Sequence, residues 1–172
     1  RYLLTICRLM VWKQVDRIIR SLAELPEDVE LLVCGDGPEL EPWQALARTL
    51  GVEERVHFRG NVAHELVPLH IRAADIFVLY SRYEGLSHTL IEVQTLGTTA
   101  VASAVCGNPE VIADGETGRL VTLDDPGALT QVLAETLKDP LLMRELAENG
   151  MAAAGRFSRD ETFSKVEKAL IR

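Results

Sequence analysis

Short apolar runs alternate along this chain with longer segments in which apolar residues recur every three or four positions. The short runs are typical of strands buried on both faces, and the longer segments are typical of amphipathic helices. Strands that alternate with helices form a parallel sheet, because each helix returns the chain to the start of the next strand. We therefore predict an α/β fold: a Rossmann-like, doubly wound parallel sheet of about six strands with helices on both faces.

The apolar runs predict strands at 2–7, 29–34, 55–60, 75–81, 99–103 and 118–121. Helical spacing predicts helices over 11–22, 43–50, 65–73, 87–96 and 129–137, and again from Pro140 with a break near Gly155 and Arg156. Ser158 and Glu161 are spaced as a capping box that would start a last helix.

The size and charge of the chain narrow its class. Its 172 residues suit one domain, 1–172, and its formal net charge of −8 argues against a general nucleic-acid or anionic-membrane binder. No apolar run reaches a membrane-spanning length. The short apolar run at the start of the sequence has no cleavage pattern after it, so no signal peptide is predicted. The three cysteines are too far apart for a zinc cluster or a disulfide framework, which predicts a reduced, cytoplasmic setting. Because the chain does not begin with Met, we expect a fragment of a longer protein.

The unusual loops each follow a predicted strand: "RLMVWK", "GDGP", "RGNV", "RYEGLS" and "VCGNPE". Ligands of open parallel sheets bind beyond the carboxyl ends of the strands, so these loops should gather at one binding edge. The lone G-x-G of "GDGP" lacks the third glycine of a dinucleotide fingerprint and is interpreted mainly as a tight strand-to-helix turn.

The stretch "YEGLSHTLIEVQTLG" contains two glutamates that could meet a ligand. Ser87 is a favourable N-cap, so a helix should begin near His88 with free N–H groups that suit a phosphate. Glu84 could accept hydrogen bonds from sugar hydroxyls, and Glu92, one turn into the helix, from the vicinal hydroxyls of a ribose. The alternatives remain open: Glu84 as a solvated loop acid, and Glu92 as the edge of a polar helix face.

Two cations follow the first strand at its carboxyl end. Arg8 provides a planar guanidinium with several donors, and Lys13, at the expected start of a helix, provides a point charge. Together the two cations suit a diphosphate. Two solvated surface cations are the alternative. After the third strand, the backbone near Asn61 could hydrogen-bond the edge of a base, or form a plain turn.

No arrangement of residues in the sequence predicts a metal or cofactor site. His64 and His70 are spaced too widely for a zincin helix, and no Asp-x-Asp pair is placed to hold a metal diphosphate. There is also no nucleophile elbow, Walker loop or Cys-His arrangement.

Taken together, these pieces resemble a known family. "EGLSHTLIEVQTLGTTAVASAVCGNPEVIADGETGRLV" closely resembles the characteristic region of retaining glycosyltransferases of the GT-B fold, the glycosyl transferases group 1 type. Glu84 and Glu92 match the family's E-x7-E motif, and Arg8 and Lys13 match its R-x4-K motif. The resemblance covers nearly the whole chain. It implies the C-terminal, donor-binding half of a GT-B enzyme, without the N-terminal acceptor domain.

The resemblance also implies roles for individual residues. Arg8 and Lys13 would bind the donor diphosphate, together with the backbone of Gly85, Leu86 and Ser87. Glu84 would be the catalytic residue that contacts the donor sugar. Glu92 would hold the ribose, and the loop at Asn61 and Val62 would meet the base; no metal would take part.

The implied activity is transfer of a hexose from a nucleotide-diphosphate sugar, with retention at the anomeric carbon, in cell-surface polysaccharide or glycolipid synthesis. The partners would be the nucleotide sugar, the chain's own N-terminal domain and, through that domain, an acceptor lipid or glycan. No nucleic acid would bind, and any membrane contact, at the inner face from the cytoplasm, would come through the other half. The isolated domain should be inactive. A nucleotide-sugar epimerase of GT-B architecture and a non-catalytic nucleotide-binding module are the alternatives.

The chain departs from the family pattern near the phosphates. The family usually has glycine where this chain has Cys7, Gln14 and Cys106, and small residues where it has Val93 and Gln94. Side chains at the three glycine positions could narrow the approach of the backbone to the phosphates. The base, sugar, acceptor and linkage are not specified by any motif in the sequence.

Overall fold

A computed structural model describes residues 1–125 and 127–157. The described residues form a six-stranded, wholly parallel sheet in the order β3-β2-β1-β4-β5-β6, which confirms the predicted doubly wound α/β fold. The strands are β1 Tyr2–Ile6, β2 Glu30–Cys34, β3 Val56–Gly60, β4 Ile76–Leu79, β5 Thr99–Ser103 and β6 Arg119–Val121. The helices are α1 Val15–Glu24, α2 Leu40–Thr49, α3 Val67–Ala73, α4 His88–Thr95, α5 Asn108–Val111, α6 Ala128–Lys138 and α7 Pro140–Ala154.

Apolar layers cover both faces of the sheet. Ile18 and Leu22 of α1 pack on one face, and Ile71 of α3 and Leu90 of α4 pack on the other. All four side chains have no exposed surface, nor has Phe77 in the central strand β4. Burial on both faces explains why the strands are continuous apolar runs rather than alternating ones.

The strand order reverses between β1 and β4. From β1 the chain builds outward through β2 and β3, and then returns to add β4, β5 and β6 on the other side. In such sheets a crevice opens where the order reverses, at the carboxyl ends of the strands. The loops after β1 and β4 therefore lie beside each other at the centre of this edge.

The start of the first helix differs from the prediction. The helix predicted from Val11 is wrong at its start: Val11–Lys13 forms a 3₁₀ turn, Gln14 adopts a left-handed conformation, and α1 begins only at Val15. Val11 is 66% exposed, so its apolar side chain matched the helical spacing without belonging to the core. The predicted break near Gly155 is confirmed by a 3₁₀ turn, Gly155–Phe157, directly after α7. The helix predicted from Ser158 and Glu161 lies outside the described residues.

Within the described ranges, none of the helices has both the length and the apolar character needed to cross a membrane.

Candidate functional site

A cleft of about 620 Å³ opens at the carboxyl ends of β1, β2 and β3. Arg8, Asn61 and Val62, which come from three different stretches of the sequence, all line it, and Thr89 in the first turn of α4 forms another part of its wall. Arg8 and Asn61 are exposed, and no hydrogen bond or ion pair joins the Arg8 guanidinium to another residue in the described part of the chain. The structure therefore brings Arg8 and the predicted base residues Asn61 and Val62 to one concave surface, whereas the other predicted diphosphate residues, Lys13, Gly85, Leu86 and Ser87, do not line it.

The G-x-G after β2 allows the close approach of two backbones. A side chain at Gly35 would overlap the carbonyl oxygen of Cys7, and one at Gly37 would overlap that of Leu9. The Leu9 N–H donates to the Asp36 carbonyl at 2.9 Å, which joins the loops after β1 and β2. The predicted tight turn is confirmed, and its glycines hold the Arg8 loop in place.

Lys13 and Glu84 form an ion pair beside this cleft, although 71 residues separate them in sequence. Their side chains are only 18% and 12% exposed, so neither is a freely solvated surface charge. The Ser81 hydroxyl donates to the same Glu84 oxygen, Oε1, at 2.7 Å. Lys13 was expected at the start of a helix; instead it ends the 3₁₀ turn, and this position lets its side chain reach across to the loop after β4.

The loop before α4 offers a run of unpaired backbone donors. Ser87 is the N-cap of α4, as predicted, and its hydroxyl accepts a hydrogen bond from the Leu90 N–H at 3.3 Å. The N–H groups of residues 85–89 make no hydrogen bond to any other described residue. Consecutive free N–H groups at a helix N-terminus favour an anion, both as donors and through the helix dipole.

Glu92 lies on the face of α4 that borders the cleft. It is half-buried and follows the cleft residue Thr89 by three positions, which places both on one helix face. No partner for its carboxylate occurs in 1–125 or 127–157. The neighbouring departures Val93 and Gln94 are buried instead, at 0% and 1% exposure, and Gln94 donates to the Thr117 carbonyl at 3.0 Å. These two substitutions therefore belong to the core and leave the cleft unchanged.

Two of the departures from glycine keep a glycine-like backbone. Gln14 and Cys106 both have a φ of 47°, and in the described residues they are the non-glycine positions with positive φ. The loops thus retain the conformation that glycine would adopt, at an energetic cost for side chains with a Cβ. At the third departure, Cys7 is half-buried and keeps its strand-end geometry; burial raises the pKa of its thiol to about 11.

Replacing Cys106 by glycine is expected to stabilise the protein by about 1 kcal/mol, because it relieves the left-handed strain of an exposed residue. For a chain of this size, thermal unfolding should shift upward by roughly 2–4 °C. Gln14→Gly is the matched comparison: the backbone relief is the same, but its side chain is only 6% exposed, so lost packing should offset the gain. A lower melting temperature for Cys106→Gly would contradict this account.

The metal-free character predicted for the site stays a prediction. Among the residues that the structure describes, His, Cys, Asp and Glu side chains do not converge in groups of three or more.

Three buried polar residues near Glu84 were not predicted from the sequence. Ser81 follows β4, Ser103 ends β5 and Asn108 begins α5. None of the three has any exposed surface. They are hydrogen-bonded to one another. A serine that ends an otherwise apolar strand, on two adjacent strands, was the signal available in the sequence.

The chain matches known proteins over most of its length. Residues 1–152 match the family model described as "Glycosyl transferases group 1". Over 155 residues the chain is 36% identical to the GDP-mannose-dependent α-(1-6)-phosphatidylinositol monomannoside mannosyltransferase of Mycolicibacterium smegmatis, covering 84% of this chain and 40% of the relative. The chain spans about two-fifths of the length of the curated relatives it matches.

Solved structures share the fold. The Anabaena protein HepE in complex with UDP superposes with a TM-score of 0.92 at 25% identity, over 98% of this chain and 48% of HepE. HepE has also been solved with UDP-glucose. The C-terminal domain of the group 1 glycosyl transferase LpcC from Francisella tularensis gives a TM-score of 0.79 at 25% identity, over 88% of this chain and 83% of that domain.

Proposed function

This chain belongs to the glycosyl transferases group 1 family, and from that premise we propose that it is the donor-binding half of a retaining hexosyltransferase. It binds a nucleotide-diphosphate sugar and, with an N-terminal domain that binds the acceptor lipid or glycan, transfers the sugar in cell-surface polysaccharide or glycolipid synthesis. The proposal rests mainly on one observation: Lys13, which follows Arg8 by five positions, pairs with Glu84, which directly precedes the free N–H groups of residues 85–89.

The positive groups of the site would bind the diphosphate. In the transfer, the bond between the anomeric carbon and the diphosphate oxygen breaks, and an acceptor hydroxyl oxygen bonds to the same carbon. Negative charge develops on the leaving diphosphate, which takes up the hydroxyl proton. Arg8, Lys13 and the α4 N-terminus would stabilise that charge, which lowers the barrier if they interact more strongly with the transition state than with the bound donor. We propose that the reaction needs no metal ion and no other cofactor.

The ion pair itself would rearrange when the donor binds. The diphosphate competes with Glu84 for the Lys13 ammonium, because both are anions that lie within its reach. Glu84, once released from Lys13, can accept hydrogen bonds from hydroxyls of the donor sugar. Donor binding would thus exchange an internal ion pair for two contacts to the ligand, and the empty site would keep both groups ordered.

The relatives support a nucleotide-sugar ligand. HepE has been solved with UDP and with UDP-glucose, and the Mycolicibacterium relative is named for its dependence on GDP-mannose. These donors differ in the base and in the sugar. Asn61 and Val62 line the cleft, and their backbone N–H and C=O groups make no hydrogen bond within the described residues, so they are available to the edge of a base.

Replacing Glu92 by glutamine is expected to weaken nucleotide binding roughly tenfold, because hydrogen bonds from the ribose hydroxyls would lose a charged acceptor. The measurement is ligand-observed NMR on this chain, metal-free, with UDP, GDP and ADP. Against the 2′,3′-dideoxy form of the nucleotide that binds, the wild-type chain and Glu92→Gln should have similar affinities, since both hydroxyls that would donate to Glu92 are missing.

Glu145→Gln makes the same change at an exposed position of α7 and should leave affinity unaltered. Equal binding of the ribonucleotide by wild-type and Glu92→Gln chains would contradict the ribose role. If none of the three nucleotides bound at millimolar concentration, the donor-half proposal itself would lose its support, and a non-catalytic module would become the better hypothesis.

A further inference from the structure

Two side chains hold the same oxygen of the Glu84 carboxylate. Lys13 approaches from the loop after β1, and Ser81 from the end of β4, and both contact Oε1. The first of these partners is also a proposed ligand of the donor diphosphate. When the diphosphate engages Lys13, the Ser81 hydroxyl is the contact that remains to hold Glu84.

Ser81 is itself fixed by its neighbours. Its backbone N–H donates to the Ser103 hydroxyl at 3.1 Å, and its carbonyl accepts from the same hydroxyl at 2.7 Å. The Asn108 side-chain amide donates to the Ser103 carbonyl at 2.9 Å. Ser81, Ser103 and Asn108 thus form a buried polar cluster that links β4, β5 and the start of α5.

The cluster is more polar than packing alone requires. Alanine would fill the volume of either serine, and the Ser81 hydroxyl has Glu84 as its partner among the described residues. Asn108 Oδ1 is buried without a hydrogen bond to any residue of the described ranges, which costs stability. Such a cost is expected where a side chain is kept for its effect on a site.

The backbone of Glu84 is held by the same part of the fold. The Gly107 N–H donates to the Glu84 carbonyl at 3.4 Å, and a Cβ at Gly107 would lie 2.8 Å from the Gly85 carbonyl carbon. The turn that contains Asn108 therefore packs closely against the Glu84–Gly85 backbone, while the polar cluster fixes the Glu84 side chain.

We propose that Ser81, locked by Ser103 and Asn108, is a positioning residue that keeps the Glu84 carboxylate directed at the donor sugar after the diphosphate has taken Lys13. The inference rests on the proposed donor-binding function and assigns the orientation of Glu84 in the donor-bound state to Ser81 rather than to Lys13. Without this contact, the long Glu84 side chain would stay paired with the Lys13 ammonium or rotate into solvent. The donor sugar would then lose an ordered hydrogen-bond acceptor.

The test compares the donor-sugar preference, defined as the affinity for a nucleotide sugar divided by that for its nucleoside diphosphate. The probes are UDP-glucose with UDP and GDP-mannose with GDP, titrated calorimetrically into this chain. Ser81→Ala should lower the preference about tenfold, the scale of one hydrogen bond to a charged group, while nucleoside diphosphate affinity stays within about twofold. A merely structural role would instead lower both affinities together.

A double-mutant cycle shows whether Ser81 acts through Glu84. In a Glu84→Gln background, Ser81→Ala should cause no further loss of preference, whereas an equal further loss would overturn the proposal. Ser21→Ala is the matched control: Ser21 is 3% exposed and its hydroxyl accepts from Thr130 at 3.0 Å, between α1 and α6. An effect of Ser21→Ala as large as that of Ser81→Ala would also overturn it.

A ligand-free crystal structure of the double variant Lys13→Met/Ser81→Ala provides a second measure that needs no donor, because Lys13→Met removes the ammonium that otherwise still holds Glu84. The Glu84 carboxylate should be shifted or occupy more than one position relative to Lys13→Met alone, and an unmoved carboxylate would overturn the positioning role. If the wild-type chain binds none of the four probes, the donor-binding proposal fails, and this structure still decides the role of Ser81. Should Ser81→Ala not fold, Ser81→Cys has nearly the same shape and a weak donor, and the same changes are expected with smaller size.

Discussion

Gly35→Ala is expected to destabilise the protein by at least about 3 kcal/mol, because a Cβ there would overlap the Cys7 carbonyl oxygen and the backbone φ of +133° disfavours any side chain. The clash is with backbone, which cannot turn aside as a flexible side chain can. Either the loop after β1 moves and displaces Arg8, or the chain fails to fold. Urea unfolding of the purified variant measures the loss.

Gly51→Ala separates the two causes. Gly51 also has a positive φ, +68°, but no atom lies within 4 Å of its added Cβ, so only the conformational cost of about 1 kcal/mol should appear. If the two variants lose the same stability, the close approach of the β1 and β2 loops is not what requires glycine at position 35.

Lys13→Met is expected to weaken binding of the nucleoside diphosphate by roughly 10- to 100-fold, the range for a hydrogen bond to a charged group. It removes the ammonium and leaves the Glu84 carboxylate, 12% exposed, facing the phosphates without its cation. Glu84→Gln should act in the opposite direction on the same ligand: it frees Lys13 from its internal partner, so nucleoside diphosphate affinity should hold or rise slightly, while the preference for the nucleotide sugar is lost.

Isothermal titration of both variants with UDP and GDP measures these opposite signs. Lys138→Met, a substitution of an exposed lysine at the end of α6, controls for the change in net charge. Parallel losses in Lys13→Met and Glu84→Gln would indicate that the ion pair acts only as a unit of the fold, and the proposed exchange on donor binding would be wrong.

The order of strands and helices could be predicted because strands that are buried on both faces appear in the sequence as continuous apolar runs. The start of α1 could not. Val11 fits the helical period, yet the chain makes a 3₁₀ turn there and then a left-handed residue at Gln14, a residue type that gives no local signal for such a turn. Tertiary contacts, not propensity, decide that conformation.

The site was predictable as a set of loops but not as a set of contacts. The carboxyl-edge rule placed Arg8, Asn61 and Val62 together, and the cap at Ser87 followed from residue type. The pairing of Lys13 with Glu84 depends on how two distant loops meet, which spacing does not encode. The support from Ser81 depends in turn on buried hydrogen bonds, and a serine in a sequence does not reveal its partner.

The run of free N–H groups at residues 85–89 has a consequence for inhibitor chemistry. A ligand that covers these amides with hydrocarbon would exclude water from them without providing hydrogen-bond acceptors in its place. Compounds aimed at this cleft should therefore gain more from a compact array of acceptors, such as a sulfonamide or a carboxylate-bearing heterocycle, than from added apolar surface. Selectivity would then have to come from the neighbouring wall at Asn61 and Val62, where the cleft offers shape rather than charge.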